Sequence, residues 1–179
     1  FESGKSLTVG VNYKKTSLKD INKYFEAKIS TVIRDEKQNF IPKSSTINNR
    51  NSNLFGSITY NHEDYFKLDY DYTLDTDLST FNYNSLSSEF TYKNFTTELK
   101  FIEENNIIGN SNSIENNFIY EFNDNNFLSF RTRRNRTISL TEYYDLLYEY
   151  KNDCLTAGFK YKKTYYQDRD VQPKEDLLL

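Results

Sequence analysis

Oily and water-seeking side chains take turns, one residue at a time, along most of this chain. Only an extended strand spreads such a pattern over two faces. Leu7, Val9, Val11 and Tyr13 alternate with Thr8, Gly10 and Asn12, and Phe25, Ala27, Ile29, Thr31 and Ile33 with Glu26, Lys28 and Ser30. Phe66, Leu68, Tyr70, Tyr72 and Leu74 alternate with Lys67, Asp69, Asp71 and Thr73. Later segments repeat the pattern: Phe95, Thr97, Leu99 and Phe101; Ile114, Phe118, Tyr120 and Phe122; Tyr144, Leu146, Tyr148 and Tyr150; Leu155, Ala157, Phe159 and Tyr161. Helical spacing is almost absent. The charged second face excludes a buried parallel sheet, whose strands read as continuous apolar runs.

The spacing predicts strands near 5–13, 22–34, 53–60, 65–74, 78–93, 95–103, 112–122, 127–134, 141–151, 154–166 and from 177 onward. In up-and-down order the joins fall into two sets at opposite ends of the sheet. Asn61-His62-Glu63-Asp64, Lys93-Asn94, Asn123-Asp124-Asn125-Asn126 and Asn152-Asp153 are short and carry the Asn/Asp chemistry of tight hairpins. The intervals 35–52, 104–111, 135–140 and 167–176 are longer. Short turns at one rim and long loops at the other is the asymmetry of an outer-membrane barrel. Asp75-Thr76-Asp77 is too short for its side, and 15–21 too long. Segment 78–93 is poorly phased, because Phe81 and Tyr83 oppose Leu86, Phe90 and Tyr92, so a bulge or bend is expected there.

Mean hydropathy is −0.83, yet 17% of the residues are aromatic, and aromatics are what disordered chains lack. A wall between lipid and a polar lumen reconciles the two values. The apolar stretches are too short for a transmembrane helix. A soluble β-sandwich also alternates, but sandwich strands average about half the roughly ten residues that cross a bilayer at a tilt. The opening lacks Met and a basic-then-apolar leader, and the end lies within a new apolar segment, so residues 1–179 are expected to be a piece of a longer barrel. A net charge of −3 gives no pointer to nucleic acid. One Cys cannot pair within the chain.

Several local motifs resemble the barrel of the lipopolysaccharide-assembly (LptD) family. Phe1-Glu2-Ser3-Gly4-Lys5 leading into Leu7–Tyr13 resembles one of its strands. Ile33-Arg34-Asp35, Ile41-Pro42 and Ser44-Ser45 are similar to an "R…P…S" loop. Asn51-Ser52-Asn53-Leu54-Phe55-Gly56 is similar to a strand start in which Asp is usual at the Asn53 position. The most specific match is Tyr148-Glu149-Tyr150-Lys151-Asn152-Asp153-Cys154-Leu155 followed by Asp168-Arg169-Asp170-Val171-Gln172-Pro173. The resemblance implies the C-terminal part of an antiparallel up-and-down transmembrane β-barrel in the outer membrane of a Gram-negative bacterium. Such a barrel inserts lipopolysaccharide into the outer leaflet, without catalysis or cofactor. Implied partners are lipopolysaccharide, a plug lipoprotein inside the barrel, periplasmic bridge proteins and outer-membrane lipids. In some relatives cysteines of the last periplasmic turn pair with cysteines near the N-terminus. Cys154 matches that position, and having one Cys allows one such bridge, to a partner off this chain. Other outer-membrane barrels (a porin or nutrient receptor) and a soluble β-rich binding module remain alternatives.

Four further groups carry chemistry. Arg131, Arg133, Arg134 and Arg136 close one strand. Arg recognises phosphate with two parallel hydrogen bonds, so a lipopolysaccharide contact at the outer rim is one reading. Neutralisation by Asp and Glu of neighbouring strands is the plainer one, and it weighs more. Alternation sends Arg131 and Arg133 to one face, and Arg134 and Arg136 to the other or into the loop. Asp69, Asp71, Asp75 and Asp77 suggest a calcium site, but two are strand positions and two a turn without a Gly-containing wrap, so no metal is expected. His62, the single histidine, would have to serve any Ser-His-Asp hydrolase, and it falls at the rim expected to be periplasmic, so no enzyme is expected. Pro42 and Pro173 lie in the long loops, where a missing N–H is harmless.

Overall fold

A computed structural model of the chain describes residues 4–37, 49–105, 110–165 and 174–178. Eleven strands form: β1 (Ser6–Thr16), β2 (Lys23–Arg34), β3 (Leu54–His62), β4 (Phe66–Leu74), β5 (Phe81–Tyr92), β6 (Phe95–Asn105), β7 (Asn110–Asn123), β8 (Asn126–Asn135), β9 (Leu140–Lys151), β10 (Thr156–Thr164) and β11 (Lys174–Leu178). They make one all-β sheet whose strand order is the chain order, and every pair of described register is antiparallel. This is an up-and-down topology. No helix among the described residues is long and apolar enough to cross a membrane.

Each expected strand is present, and the differences lie at the ends. The intervals read as loops at 104–111 and 135–140 shrink, because β6 continues to Asn105, β7 begins at Asn110, β8 reaches Asn135 and β9 starts at Leu140. These ends are rich in Asn, Ser and Thr, which carry no hydrophobic alternation, yet their backbone groups still pair in the ladder. For the same reason β11 begins at Lys174 rather than Leu177. The turn after β4 lengthens to 75–80, since Asp75 N–H bonds Thr80 O at 2.9 Å and Leu78 N–H bonds Asp75 O at 2.8 Å. The expected asymmetry is weaker than the spacing predicts: 152–155 after β9 is as long as 136–139 after β8, and 17–22 after β1 as long as 75–80 after β4. Residues 63–65, 93–94, 124–125 and 152–155 leave two to four positions between strands. Glu63 and Lys93 take positive φ (54° and 53°), the backbone bend a tight hairpin requires.

The chain divides into two compact units, 1–86 with 102–111 and 87–101 with 112–179. In the first, the pairing Leu7↔Ile33, Val11↔Ile29, Ile29↔Gly56 and Gly56↔Tyr72 carries one face across β1 to β4. That face bears Val9, Tyr13, Phe25, Ile58, Tyr60, Leu68 and Tyr70. The opposite face bears Lys14, Glu26, Lys28, Thr59, Asp69 and Asp71. In the second unit, Phe118↔Phe130, Phe130↔Leu146 and Leu146↔Tyr161 carry an apolar face across β7 to β10. The other face is polar, through Asn117↔Arg131, Arg131↔Asp145, Asp145↔Lys162 and Lys162↔Asp176.

Residues Asn51–Gly56 gain a physical explanation here. Asn51 bridges Ile33, whereas Ser30 pairs with Phe55, so one extra residue is accommodated between them. Ser52 clasps β2: its N–H bonds Val32 O at 2.9 Å, its Oγ accepts the Val32 N–H at 2.8 Å, and Thr31 Oγ1 donates to its carbonyl at 3.2 Å. Ser52 and Asn53 are 3% and 1% exposed. At Gly56 a Cβ would meet the Tyr72 ring, with Cε1 at 2.5 Å. The ring of the directly paired residue therefore covers the glycine backbone, the arrangement by which an aromatic side chain protects a glycine within a sheet.

Candidate functional site: a sheet with inverted polarity

In a water-soluble sheet the face that alternation makes apolar is the buried one. Here the polarity is reversed. Among the described residues no hydrophobic side chain is buried, and the buried side chains are polar: Arg34, Ser52, Asn53, Ser85, Ser113 and Asp145. Leu7, Val9, Val11, Tyr13, Phe25, Ile29 and Ile33, all on one face of β1 and β2, are exposed, Val11 by 67%; both faces of the edge strand β1 are exposed, and the contrast between faces begins at β2. In the second unit Tyr148 is 39% exposed, whereas Asp145, three residues before it and on the other face, is 8% exposed. Soluble monomers rarely expose contiguous apolar surface beyond a few hundred Å².

Aromatic side chains meet near both sets of turns: Tyr72 with Phe81 (centroids 6.2 Å apart) and Tyr144 with Tyr165 (6.1 Å) toward those after even-numbered strands, and the following pairs toward those after odd-numbered ones. In the first unit Tyr13 meets Phe25 (centroids 6.3 Å apart) and Tyr60 meets Phe66 (6.2 Å). In the second, Phe122 meets Tyr120 (5.0 Å) and Tyr148 (6.4 Å).

The polar face holds its charges in pairs. In the first unit Lys28 Nζ lies 2.8 Å from Glu26 Oε1 and Lys67 Nζ 3.1 Å from Asp69 Oδ2, while Thr59 Oγ1 donates to Asp69 Oδ1 at 3.0 Å. In the second unit Arg131 Nη2 is 3.3 Å and Lys160 Nζ 3.8 Å from Asp145 Oδ2, and Arg133 Nε is 3.0 Å from Glu142 Oε2.

The four arginines thus separate. Arg131 and Arg133 lie on the polar face, neutralised by Asp145 and Glu142, as the plainer reading expects. Arg134, paired with Ile114 across the ladder, lies on the apolar face and is exposed. The Arg136 guanidinium sits 5.6 Å from the Phe101 ring centroid. The register between β8 and β9 shifts at Arg133/Arg134, which period-two counting had no means to locate.

Cys154 is exposed with a free thiol. Its N–H and that of Leu155 both donate to Asn152 Oδ1, at 3.0 and 2.8 Å, so Asn152 fixes the turn that presents the sulfur. The His62 ring meets Tyr60 Oη at 3.1 Å. Asp75 and Asp77 accept turn hydrogen bonds from Thr76 and Ser79. Among the described residues no three His, Cys, Asp or Glu side chains converge as a metal site. Phe1, Glu2, Ser3, Ile41, Pro42, Ser44, Ser45, Asp168–Pro173 and Leu179 lie outside the described residues. Sequence reasoning missed the Gly56–Tyr72 cover and the Ser52 clasp. A glycine amid alternating residues was the available signal for the first.

The geometry defines an antiparallel β-sheet with one apolar and one polar face in each unit. Set against known proteins, the chain matches no family model and no curated sequence.

Proposed function

We propose that this chain is part of the wall of an outer-membrane β-barrel of the lipopolysaccharide-assembly type, acting as a translocon and not as an enzyme. The observation that carries the membrane reading is the inverted polarity: exposed aliphatic and aromatic side chains on one face, buried and ion-paired polar ones on the other. Apolar residues facing lipid are stabilised where the same residues facing water would drive aggregation. The assembly reading rests on the motif resemblance and on Cys154 in a short turn after an odd-numbered strand, the position of a long-range periplasmic disulfide. In this reading the polar face lines the lumen, where saccharide and phosphate groups move beside a plug lipoprotein. Acyl chains leave sideways through a seam between strands, after delivery by periplasmic bridge proteins.

Cysteine scanning of the full-length protein in membranes, on a Cys154→Ser background, tests the wall. Cysteines at Val9, Ile58 and Leu146 are expected to resist a water-soluble maleimide, while cysteines at Ser57, Ser129 and Asp64 react. Equal labelling of both sets overturns the membrane reading. A non-reducing gel tests the assembly reading, through a mobility shift lost in Cys154→Ser. Absence of that shift, with lipopolysaccharide export unchanged on depletion of the protein, would instead favour a porin or nutrient receptor.

A further inference from the structure

The apolar face of the first unit changes character in the same order on three neighbouring strands as it nears the 17–22 and 63–65 turns. On β1 the order is Val11, Tyr13, Lys15, on β2 Ile29, Ala27, Phe25, Lys23, and on β3 Ile58, Tyr60, His62. The ladder aligns these series, since Val11 pairs with Ile29, Lys15 with Phe25, Phe25 with Tyr60 and Lys23 with His62. The Tyr13 and Phe25 ring centroids lie 6.3 Å apart, and Tyr60 Oη meets His62 Nδ1 at 3.1 Å. Aliphatic, then aromatic, then basic is the order in which a bilayer is met from its hydrocarbon outward. Rings with one wet end settle at the interface, and lysines lay their stems on oil while lifting the ammonium to the headgroups.

The 17–22 turn beyond those rows is firmly built. Ser17 N–H donates to Lys23 O at 2.8 Å and Lys23 N–H to Asp20 O at 3.2 Å. Asp20 Oδ1 accepts the Asn22 N–H at 2.8 Å, and Asn61 Nδ2 on β3 donates to Asn22 O at 2.6 Å. Yet the turn leaves Leu18 and Ile21 almost wholly exposed. Lys15, Lys19 and Lys23 make no ion pair with a described residue, whereas Lys14 and Lys28 on the opposite face both reach Glu26. Aliphatic side chains interleaved with unneutralised lysines suit a surface that is oily and anionic at once.

We propose that this end of the first unit is an interfacial anchor for anionic phospholipid. Lys15, Lys19 and Lys23 hold the headgroup phosphates, and Leu18 and Ile21 enter the interfacial layer of the same leaflet. This rests on the membrane reading above and adds where one edge of the bilayer meets the sheet and what charge it carries there. A docked protein would need only one local patch. An order repeated on β1, β2 and β3, and continuous with the exposed aliphatic face, fits a layer that runs along the sheet. The phosphodiester oxygens accept from the ammonium groups, while Lys14 and Lys28, already paired on the other face, take no part.

The test uses full-length protein in nanodiscs of mixed phosphatidylcholine and phosphatidylglycerol, with the lipids still bound after release counted by native mass spectrometry. Lys15→Gln/Lys19→Gln/Lys23→Gln is expected to lower the preference for phosphatidylglycerol about tenfold or more, at roughly 1 kcal/mol per basic residue near an anionic surface. The corresponding triple Arg variant should keep that preference, and Lys14→Gln should leave it unchanged. Leu18→Ser/Ile21→Ser should lower retention of both lipids by a similar factor. Heat-dependent gel migration verifies folding of each variant. An unchanged preference in the triple Gln variant, or an equal drop in Lys14→Gln, overturns the anchor. Loss of a co-purifying protein from Leu18→Ser/Ile21→Ser, with lipid retention intact, would also overturn it, as a protein-docking turn. If the protein is instead monodisperse in detergent-free buffer, the membrane reading itself has failed.

Discussion

At Gly56 the backbone of β3 lies under the ring of Tyr72, its direct partner on β4. Any Cβ displaces that ring, and overpacking of this kind typically costs about 1–3 kcal/mol. Gly56→Ala is therefore expected to lower stability by that amount in urea unfolding. The penalty should shrink in a Tyr72→Ala background, where a double-mutant cycle isolates the contact. Asp77 offers a pH-dependent case outside the strands. The Ser79 hydroxyl at 2.7 Å and its N–H at 3.0 Å hold the Asp77 carboxyl below its ordinary value of 3.8. The folded value is the depressed one, so the turn's contribution is complete above the ordinary value and fades as pH falls through the folded value. The Ser79 amide resonance should titrate with a midpoint below 3.8, and Asp77→Asn should abolish that titration.

Among the elements, the hairpin turns depend on single residues. Asn152 Oδ1 receives two backbone N–H groups in the turn after β9, so Asn152→Ala should cost about 1 kcal/mol, whereas Asn152→Asp should cost little. Leu78 is held at φ 59° in the turn after β4, where a side chain is strained. Leu78→Gly should therefore gain up to about 1 kcal/mol, less glycine's greater entropy in the unfolded chain. Calorimetric or urea midpoints would check both. The strands were legible because each carries an apolar face, and Leu68, Tyr70 and Tyr72 announce β4 without help. The ends of β6 to β9 were not, because Asn105, Asn110, Ser111 and Asn135 offer the backbone ladder no hydrophobic rhythm to betray it. The division of the arginines was half legible. Parity separated Arg131 and Arg133 from the rest, while the pairing of Arg133 with Glu142 depends on a local register shift. The Ser52 clasp was hidden, since short polar residues beside a loop look the same whether buried or solvated.

On the scale of the whole molecule, the apolar face is a solvent preference written along the sheet. On the proposed membrane reading, Val11→Lys should destabilise the protein in lipid by about 2–4 kcal/mol if its row lies near the bilayer midplane. Asn12→Lys, on the polar face of the same strand, should cost well under 1 kcal/mol. Urea midpoints in vesicles would measure the contrast, and near-equal costs would contradict a lipid-facing wall. The sheet order that repeats the chain order has its own consequence for how such a wall comes into being. Each strand after β1 pairs with the stretch synthesised just before it, so no pairing within this sheet has to wait for a distant part of the polypeptide, and the loop-closure entropy of each step is small. Construction can proceed as a zipper does, with each finished hairpin offering its free edge as the template for the next. A defect in one early turn would then be felt by every strand that follows.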